Sequence, residues 1–526
     1  MSAPRVLISD KLSPAAMEIF QRRGVEAVVN TGLSKEELMA EIVNYDGLAV
    51  RSATKVTAPV IDATGRLKVI GRAGIGVDNI DMQAATAKGV VVMNAPHGNA
   101  VTTAEHAIAL IFAAARQIPA ADASTQAGKW EKSRFLGAEL YGKTLGLIGC
   151  GNIGGLVAER AHGLKMHPIA YDPYLTDERA AALSVDKVDL DELFARADII
   201  SLHVPLTDRT RGVISREAIA KMRPGVIIVN AARGGLVDEE ALREALESGH
   251  VRAAGFDVFA DEPAKENVLF GAPNFVATPH LGAATVEAQE NVAVQIAEQM
   301  SDFLLSGAVT NALNMPSISA EDAPRLRPWI DLAQRLGLLA GQLIETSLKR
   351  VETGTMGKIS AYDTKPLTAA AIAGVLKPML SDVNMVSGPA WASERGIAVA
   401  DAREDRADPF ENMIRLTVET QRRRRVVCGA VFGGEPRVVS IDGVGLEAPI
   451  TPRMLYVENE DVPGFVGRLG QVLGEADVNI GTFSLGRESE GGNAMALLSI
   501  DRAVDPSVLE KVQALPNVKA VKPLLF

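Results

Sequence analysis

Short apolar, β-branched runs alternate with amphipathic stretches along the first part of the chain. The runs fall at Arg5–Ser9, Glu26–Val29, Gly47–Val50, Val69–Arg72 and Val90–Met93, and Ser34–Val43 carries its apolar positions at helical spacing. Strand–helix alternation predicts a parallel, doubly wound sheet, because each helix must return the chain to start the next strand in the same direction. A long amphipathic helix is expected over Thr102–Arg116. A second series opens at Lys143–Gly149, with a strand over Thr144–Ile148 and a helix over Gly155–His162. Two α/β units joined near residue 98 follow from this pattern. The opening Met1–Asp10 reads as a buried strand and lacks the basic-then-apolar run of a signal peptide.

An apolar helix expected over Val286–Leu305 leads into Asn311–Pro316, and such a helix can carry the chain back to the first unit. The pattern then changes to Ala/Leu-rich helices at Trp329–Thr346 and Thr368–Leu380, with strand-like stretches near Arg423–Val431 and Arg437–Ile441 and a break at Pro449–Pro452. That is a third domain. The run Arg422–Arg425 reads as an alternating strand with two arginines on each face, an anion site being the other reading. The remainder runs strand Met454–Glu458, helix Pro463–Ala476, strand Val478–Arg487, strand Asn493–Ile500, helix Pro506–Leu515, strand Val518–Pro523. This βαββαβ order is that of a ferredoxin-like module.

Composition narrows the partners. With 47% hydrophobic and 23% charged residues the chain is globular rather than disordered. A net charge of −11 provides no basic field for nucleic acid or anionic lipid, so neither is expected as a partner. The longest apolar run, near His106–Ala115, is half the ~20 residues of a membrane span. Cys150 and Cys428 are the only cysteines, which excludes a disulfide framework or cysteine metal cluster and points to a reducing compartment, the cytoplasm by default. No metal site is expected.

Gly149-Cys-Gly-Asn-Ile-Gly154 matches G-x-G-x-x-G between a strand and a helix, and Asp172 ends the next strand about 20 residues on. Gly149, Gly151 and Gly154 permit a tight turn and close approach to a pyrophosphate, whose negative charge the N-terminus of the following helix attracts, and Asn152 within the motif is a further cofactor-binding candidate. Asp172 can accept hydrogen bonds from ribose hydroxyls and repel a 2′-phosphate, which favours NAD over NADP. Three further residues sit beside glycine, proline or a strand end: Arg233 in Asn230–Gly235, Glu262 in Asp257–Pro263 and His280 in Thr278–Ala284. A 2-hydroxy acid needs a guanidinium for its carboxylate and an imidazole for its hydroxyl proton, and a carboxylate beside the imidazole raises its pKa. Arg51, Ser52, Arg72, Gly74 and Asn79, in Val50–Thr54 and Gly71–Asn79, are candidates to bind a carboxylate and a phosphate. Arg134, in the exposed stretch Trp130–Arg134, is a weaker candidate that could reach a neighbouring subunit's site.

With Arg72–Asn79, Gly149–Gly154, Asn230–Asp238, Asp257–Pro263 and His280–Ala284 together, the chain resembles the D-isomer-specific 2-hydroxyacid dehydrogenases over nearly its whole length, and among them a long, tailed form acting on 3-phospho-D-glycerate. The resemblance implies α/β architecture with two Rossmann-like lobes, an α+β intervening domain and an ACT domain. It implies a substrate-binding domain at 1–98 plus 285–316, an NAD-binding domain at 99–284, an intervening domain at 317–453 and a regulatory ACT domain at 454–526. It also implies catalytic Arg233, Glu262 and His280, and cofactor contacts from Ile153, Ala231, Asp257 and Gly282. The activity implied is NAD-dependent oxidation of 3-phospho-D-glycerate to 3-phosphohydroxypyruvate in L-serine biosynthesis. L-serine is implied as effector at Asn459, Asp461 and Asn479, in a homo-oligomer, dimer or tetramer. Alternatives are a dehydrogenase of another D-2-hydroxy acid and a corepressor-like protein that uses NAD to assemble without turnover.

Overall fold

The computed structural model describes residues 3–380 and 382–526, so the first two residues of the Met1–Asp10 strand reading lie outside it. Each α/β series closes its own sheet. The first contains β1 (Arg5–Ile8), β2 (Glu26–Val29), β3 (Gly47–Val50), β4 (Val69–Arg72) and β5 (Val91–Asn94) in the order β2-β1-β3-β4-β5, all parallel. The second contains β6 (Thr144–Ile148), β7 (His167–Tyr171), β8 (Asp186–Lys187), β9 (Ile199–Leu202), β10 (Val226–Asn230), β11 (Val251–Phe256) and β12 (Phe275–Ala277). Its order, β12-β11-β10-β9-β6-β7-β8, is also parallel throughout. Strands such as Val226–Asn230 are buried at every position, as expected where helices cover both faces.

Local chemistry sets the helix ends. Ser34 caps the helix Lys35–Ile42 in a reciprocal pair with Glu37, each satisfying the other's backbone N–H. The helix Ala100–Arg116 leaves the first unit and packs on the second sheet through Ala104, Ala107, Leu110 and Ile111. The chain returns by the helix Val286–Ser306, capped by Thr285, whose Met300 lies against Gly47 and Gly71 of the first sheet. A Cβ on Gly71 would sit 2.3 Å from the Met300 sulfur, so the glycine makes room for that packing. Residues 311–314 then lie along β5, with Leu313 N–H donating to the Val92 carbonyl and Val92 N–H to Asn314.

The third sheet is mixed: β13 (Leu348–Gly357), β14 (Ala398–Glu404), β15 (Asn412–Thr420), β16 (Arg424–Phe432), β17 (Glu435–Ile441) and β18 (Val444–Pro449), ordered β14-β13-β15-β16-β17-β18. Two expected helices shift. The first spans Ala323–Gln342 rather than Trp329–Thr346, starting earlier because Pro324 suits a helix's first turn and Pro328 is tolerated within it. The second spans Lys365–Leu376. The arginine run is not a four-residue strand either. Arg422 and Arg423 occupy a turn held by the Thr420 hydroxyl, and the strand begins at Arg424. Arg423 and Arg425 face Asp442, with Glu458 beside Arg423 and the Tyr456 hydroxyl bonded to Arg425, so these two arginines serve internal carboxylates rather than an anion.

The fourth sheet is antiparallel: β19 (Arg453–Glu460), β20 (Ile480–Arg487), β21 (Asn493–Ile500) and β22 (Val518–Leu525), ordered β20-β21-β19-β22. Helices Phe465–Glu475 and Pro506–Gln513 cover one face through Leu469, Leu473 and Val512. The other face packs on the third sheet. One apolar cluster runs unbroken from Val6 and Met93 through Ile296, Leu336 and Ile414 to Tyr456 and Leu497, whereas the second sheet keeps two clusters of its own. No helix among the described residues is long and apolar enough to cross a membrane.

Candidate active site

Strands β10, β11 and β12 are neighbours, so the loops leaving their C-terminal ends converge. β10 delivers Arg233, β11 delivers Asp257 and Glu262, and β12 delivers His280. His280 Nδ1 lies 2.7 Å from Glu262 Oε2, and the other carboxylate oxygen accepts the Phe259 N–H at 3.0 Å. That geometry holds the ring with Nε2 free for substrate. The Glu262 carboxylate raises the imidazole's pKa above its ordinary value, against the opposing effect of burial. Burial alone would raise Glu262, yet hydrogen bonds from His280 and the Phe259 N–H bring it below the usual carboxylate range. His280 has φ +55°, a left-handed backbone rare outside glycine and characteristic of functional loops.

Asp257 is the keystone of this loop. Its backbone carbonyl accepts the His280 N–H at 2.9 Å, and its carboxylate accepts Leu281 N–H, Gly282 N–H and the Thr278 hydroxyl at 2.7, 2.7 and 2.6 Å. His106 Nε2 approaches both Thr278 Oγ1 (3.1 Å) and Asp257 Oδ1 (3.2 Å). Burial pushes the Asp257 pKa up, but these donors, His106 first, bring it below the ordinary value. Thr278 and His106 were missed in the sequence. Thr278 had a signal, its place beside Pro279-His280, whereas His106 is a helix residue met only through folding.

Across the cleft stand residues of the first unit. Arg51, Ser52, Arg72, Gly74 and Asn79 line the same space of about 780 Å³ as Glu262 and His280. Burial, then the neighbouring Arg233, lowers the Arg72 guanidinium pKa to about 10, and its Nε lacks a partner. A buried donor without a partner suits a site built for an anion. Gly74, with φ +151°, lets that guanidinium fold over the backbone: a Cβ there would lie 1.7 Å from Arg72 Nη1. Asn79 has a bracing task, since its Nδ2 donates to the carbonyls of Arg51 and Thr54, both at 2.7 Å. Arg134 is not brought to this cleft: it sits in the turn Lys132–Arg134, paired with Glu131.

The glycine loop lies at the C-terminal end of β6. Gly149 has φ +93° and a Cβ on it would come within 2.6 Å of the His203 carbonyl oxygen, while a Cβ on Gly154 would sit 2.2 Å from the Gly149 carbonyl oxygen, so loop and helix meet this closely only because residue 154 is glycine. Gly151 faces open space at the N-terminus of the helix Asn152–Gly163, which starts three residues earlier than expected. Asp172 accepts N–H groups from Cys150 (2.9 Å) and Tyr174 (2.8 Å), keeping further lone pairs available. Ala231 is buried at the end of β10, and Ile153 is half-buried on the loop helix. These residues fit the pyrophosphate and ribose of a dinucleotide.

The proposed effector residues do not converge within one chain. Asn459 is buried, its Nδ2 donating to the Glu460 carbonyl and its Oδ1 without a partner, while Asp461 pairs with Arg487 at 2.9 Å. Asn479 precedes β20 at the opposite end of the sheet and donates to Asp501.

Three family models match along the chain: the D-isomer specific 2-hydroxyacid dehydrogenase NAD-binding domain over residues 108–282, the D-3-phosphoglycerate dehydrogenase intervening domain over 325–442 and the ACT domain over 453–517. Fold and site thus define a D-isomer-specific 2-hydroxyacid dehydrogenase. A D-3-phosphoglycerate dehydrogenase of Archaeoglobus fulgidus is 42% identical over 98% of both chains, and one of Bacillus subtilis is 39% identical over 98% of this chain and 99% of that one. The chain belongs to the D-3-phosphoglycerate dehydrogenases. Among solved structures, a protein of Thermus thermophilus superposes with TM-score 0.54 and 36% identity, covering 59% of this chain and 99% of that one. NAD+-bound 3-phosphoglycerate dehydrogenase of Entamoeba histolytica gives TM-score 0.51 at 32% identity with the same coverage.

Proposed function

We propose that the chain oxidises 3-phospho-D-glycerate to 3-phosphohydroxypyruvate with NAD, the first step toward L-serine. The observation that carries the reading is the His280–Glu262 pair facing the arginines of the opposite unit across one cleft. Bound NAD supplies the hydride acceptor. His280 Nε2 takes the C2 hydroxyl proton, Glu262 stabilises the resulting imidazolium, and Arg233 holds the substrate carboxylate. Arg51, Ser52 and Arg72 provide partners for the remaining anionic group. The assignment of units follows: 1–98 plus 285–316 binds substrate, 99–284 binds NAD, 317–453 intervenes and 454–526 regulates.

L-serine is the effector we assign to Asn459, Asp461 and Asn479. Antiparallel pairing of two β20 edges about a two-fold axis brings the Asn479 end of one copy to the Asn459–Asp461 end of the other, so this reading requires a homo-oligomer, a dimer or tetramer. The place of action is the cytoplasm. NADH absorbance with phosphorylated and unphosphorylated D-2-hydroxy acids, with and without millimolar serine, tests these assignments. Faster turnover of an unphosphorylated acid would favour another D-2-hydroxy acid dehydrogenase, and NAD binding without any turnover a corepressor-like role.

A further inference from the structure

The Arg233 guanidinium is held from the opposite unit. Its Nε donates to Asp78 Oδ2 at 3.0 Å, across 155 residues of sequence, while Nη1 donates to the Ala232 carbonyl at 2.6 Å. Nη2 lies against Gly76, where a Cβ would come within 1.7 Å of it. A guanidinium can offer a carboxylate either its Nη1/Nη2 edge or its Nε/Nη2 edge. With the single Nε hydrogen committed to Asp78, only the terminal Nη1/Nη2 edge remains for substrate. Two anchors in different units therefore fix both the plane and the presented edge.

We infer that Asp78 is a positioning residue, an interunit latch that orients Arg233 and ties its alignment to the approach of the two units. The inference rests on the assignment of Arg233 to the substrate carboxylate. Asp78 is carried on the loop after β4 and Arg233 on the loop after β10, so the Nε hydrogen bond exists only when the cleft walls are close. The Asp78 side chain is 67% exposed, and an exposed ion pair stabilises the fold little. Its loss should therefore be read in turnover and not in folding. Gly76 serves the same geometry by leaving Nη2 room beside the backbone.

The test is a double-mutant cycle of Asp78→Ala and Arg233→Ala, with Asp78→Asn as the conservative variant. Asp78→Ala should lower kcat by about tenfold or more, as misplacement of a positioning group does, with KM changed less and NADH affinity kept. Asp78→Asn, which keeps an acceptor oxygen for Nε, should recover part of that loss. In the Arg233→Ala background Asp78→Ala should cost nothing further. Calorimetry of oxalate binding to the NADH-loaded protein repeats the cycle without turnover, so failure of the substrate reading does not decide this one: Asp78→Ala should weaken oxalate only when Arg233 is present. Additive losses, or a loss in Asp78→Ala with full NADH and oxalate affinity, would overturn the latch.

Discussion

Replacing Gly154 by alanine tests the nucleotide loop at a point where the structure supplies a distance. The new Cβ would lie 2.2 Å from the Gly149 carbonyl oxygen, and real Cβ atoms essentially never approach within 3.0 Å, so loop and helix must separate by at least about 0.8 Å, the difference between the two. No flexible side chain can absorb it, because the obstacle is backbone. Overpacking of this kind costs about 1–3 kcal/mol of stability. The same displacement moves the N-terminus of Asn152–Gly163 away from the pyrophosphate, and a charge-assisted hydrogen bond is worth about 1.5–3 kcal/mol. At ~1.4 kcal/mol per decade, NADH affinity should fall roughly tenfold to a hundredfold. Fluorescence titration with NADH measures the affinity, and thermal melting without ligand measures the fold separately. An affinity within about twofold of the unaltered protein, in a variant that melts cooperatively, would refute the close-approach argument.

Three further outcomes are expected. In Glu262→Gln the partner that raises the His280 pKa is lost, so the acid limb of oxidation, which needs neutral imidazole, should move to lower pH; the alkaline limb of reduction, which needs imidazolium, should move the same way in kcat/KM profiles. Asp172→Ala should relax the preference for NAD over NADP, read as the ratio of kcat/KM for the two cofactors, and equal use of both by the unaltered protein would refute the role given to Asp172. Arg51→Ala should raise KM for phosphoglycerate more than for an unphosphorylated 2-hydroxy acid, and equal losses on both would assign Arg51 to the shared carboxylate or the fold.

Much of the architecture is legible in local patterns. The first sheet's strands lie within a residue of their apolar runs, because in parallel sheets burial on both faces writes continuous β-branched segments. β13 was invisible: Leu348-Lys-Arg-Val-Glu-Thr-Gly-Thr-Met-Gly357 mixes charge and glycine, and its buried Thr353 and Thr355 carry no hydrophobic signal. The catalytic histidine, glutamate and arginine could be proposed because each sits beside glycine or proline at a strand end. Asp78 could not be singled out, although it lies inside Arg72–Asn79, since its significance is the arginine it meets across the cleft. For a related reason the arginine run could not show its partners: Asp442 and Glu458, distant in sequence, face Arg423, and Asp442 also faces Arg425.

The unbroken apolar cluster from Val6 to Leu497 divides the molecule mechanically. The fourth sheet, the third and the first share one interior, while the dinucleotide half is joined to them by two chain crossings near Gly98 and Thr285. Those crossings touch, Thr102 Oγ1 lying 3.3 Å from Thr285 Oγ1 and Gly98 seated against Val292. The two halves are thus joined by adjacent crossings at one place and by the Arg233–Asp78 bond within the cleft. The tail therefore connects to Val69 and Ala73, on either side of Arg72, through packed side chains rather than through a slack tether.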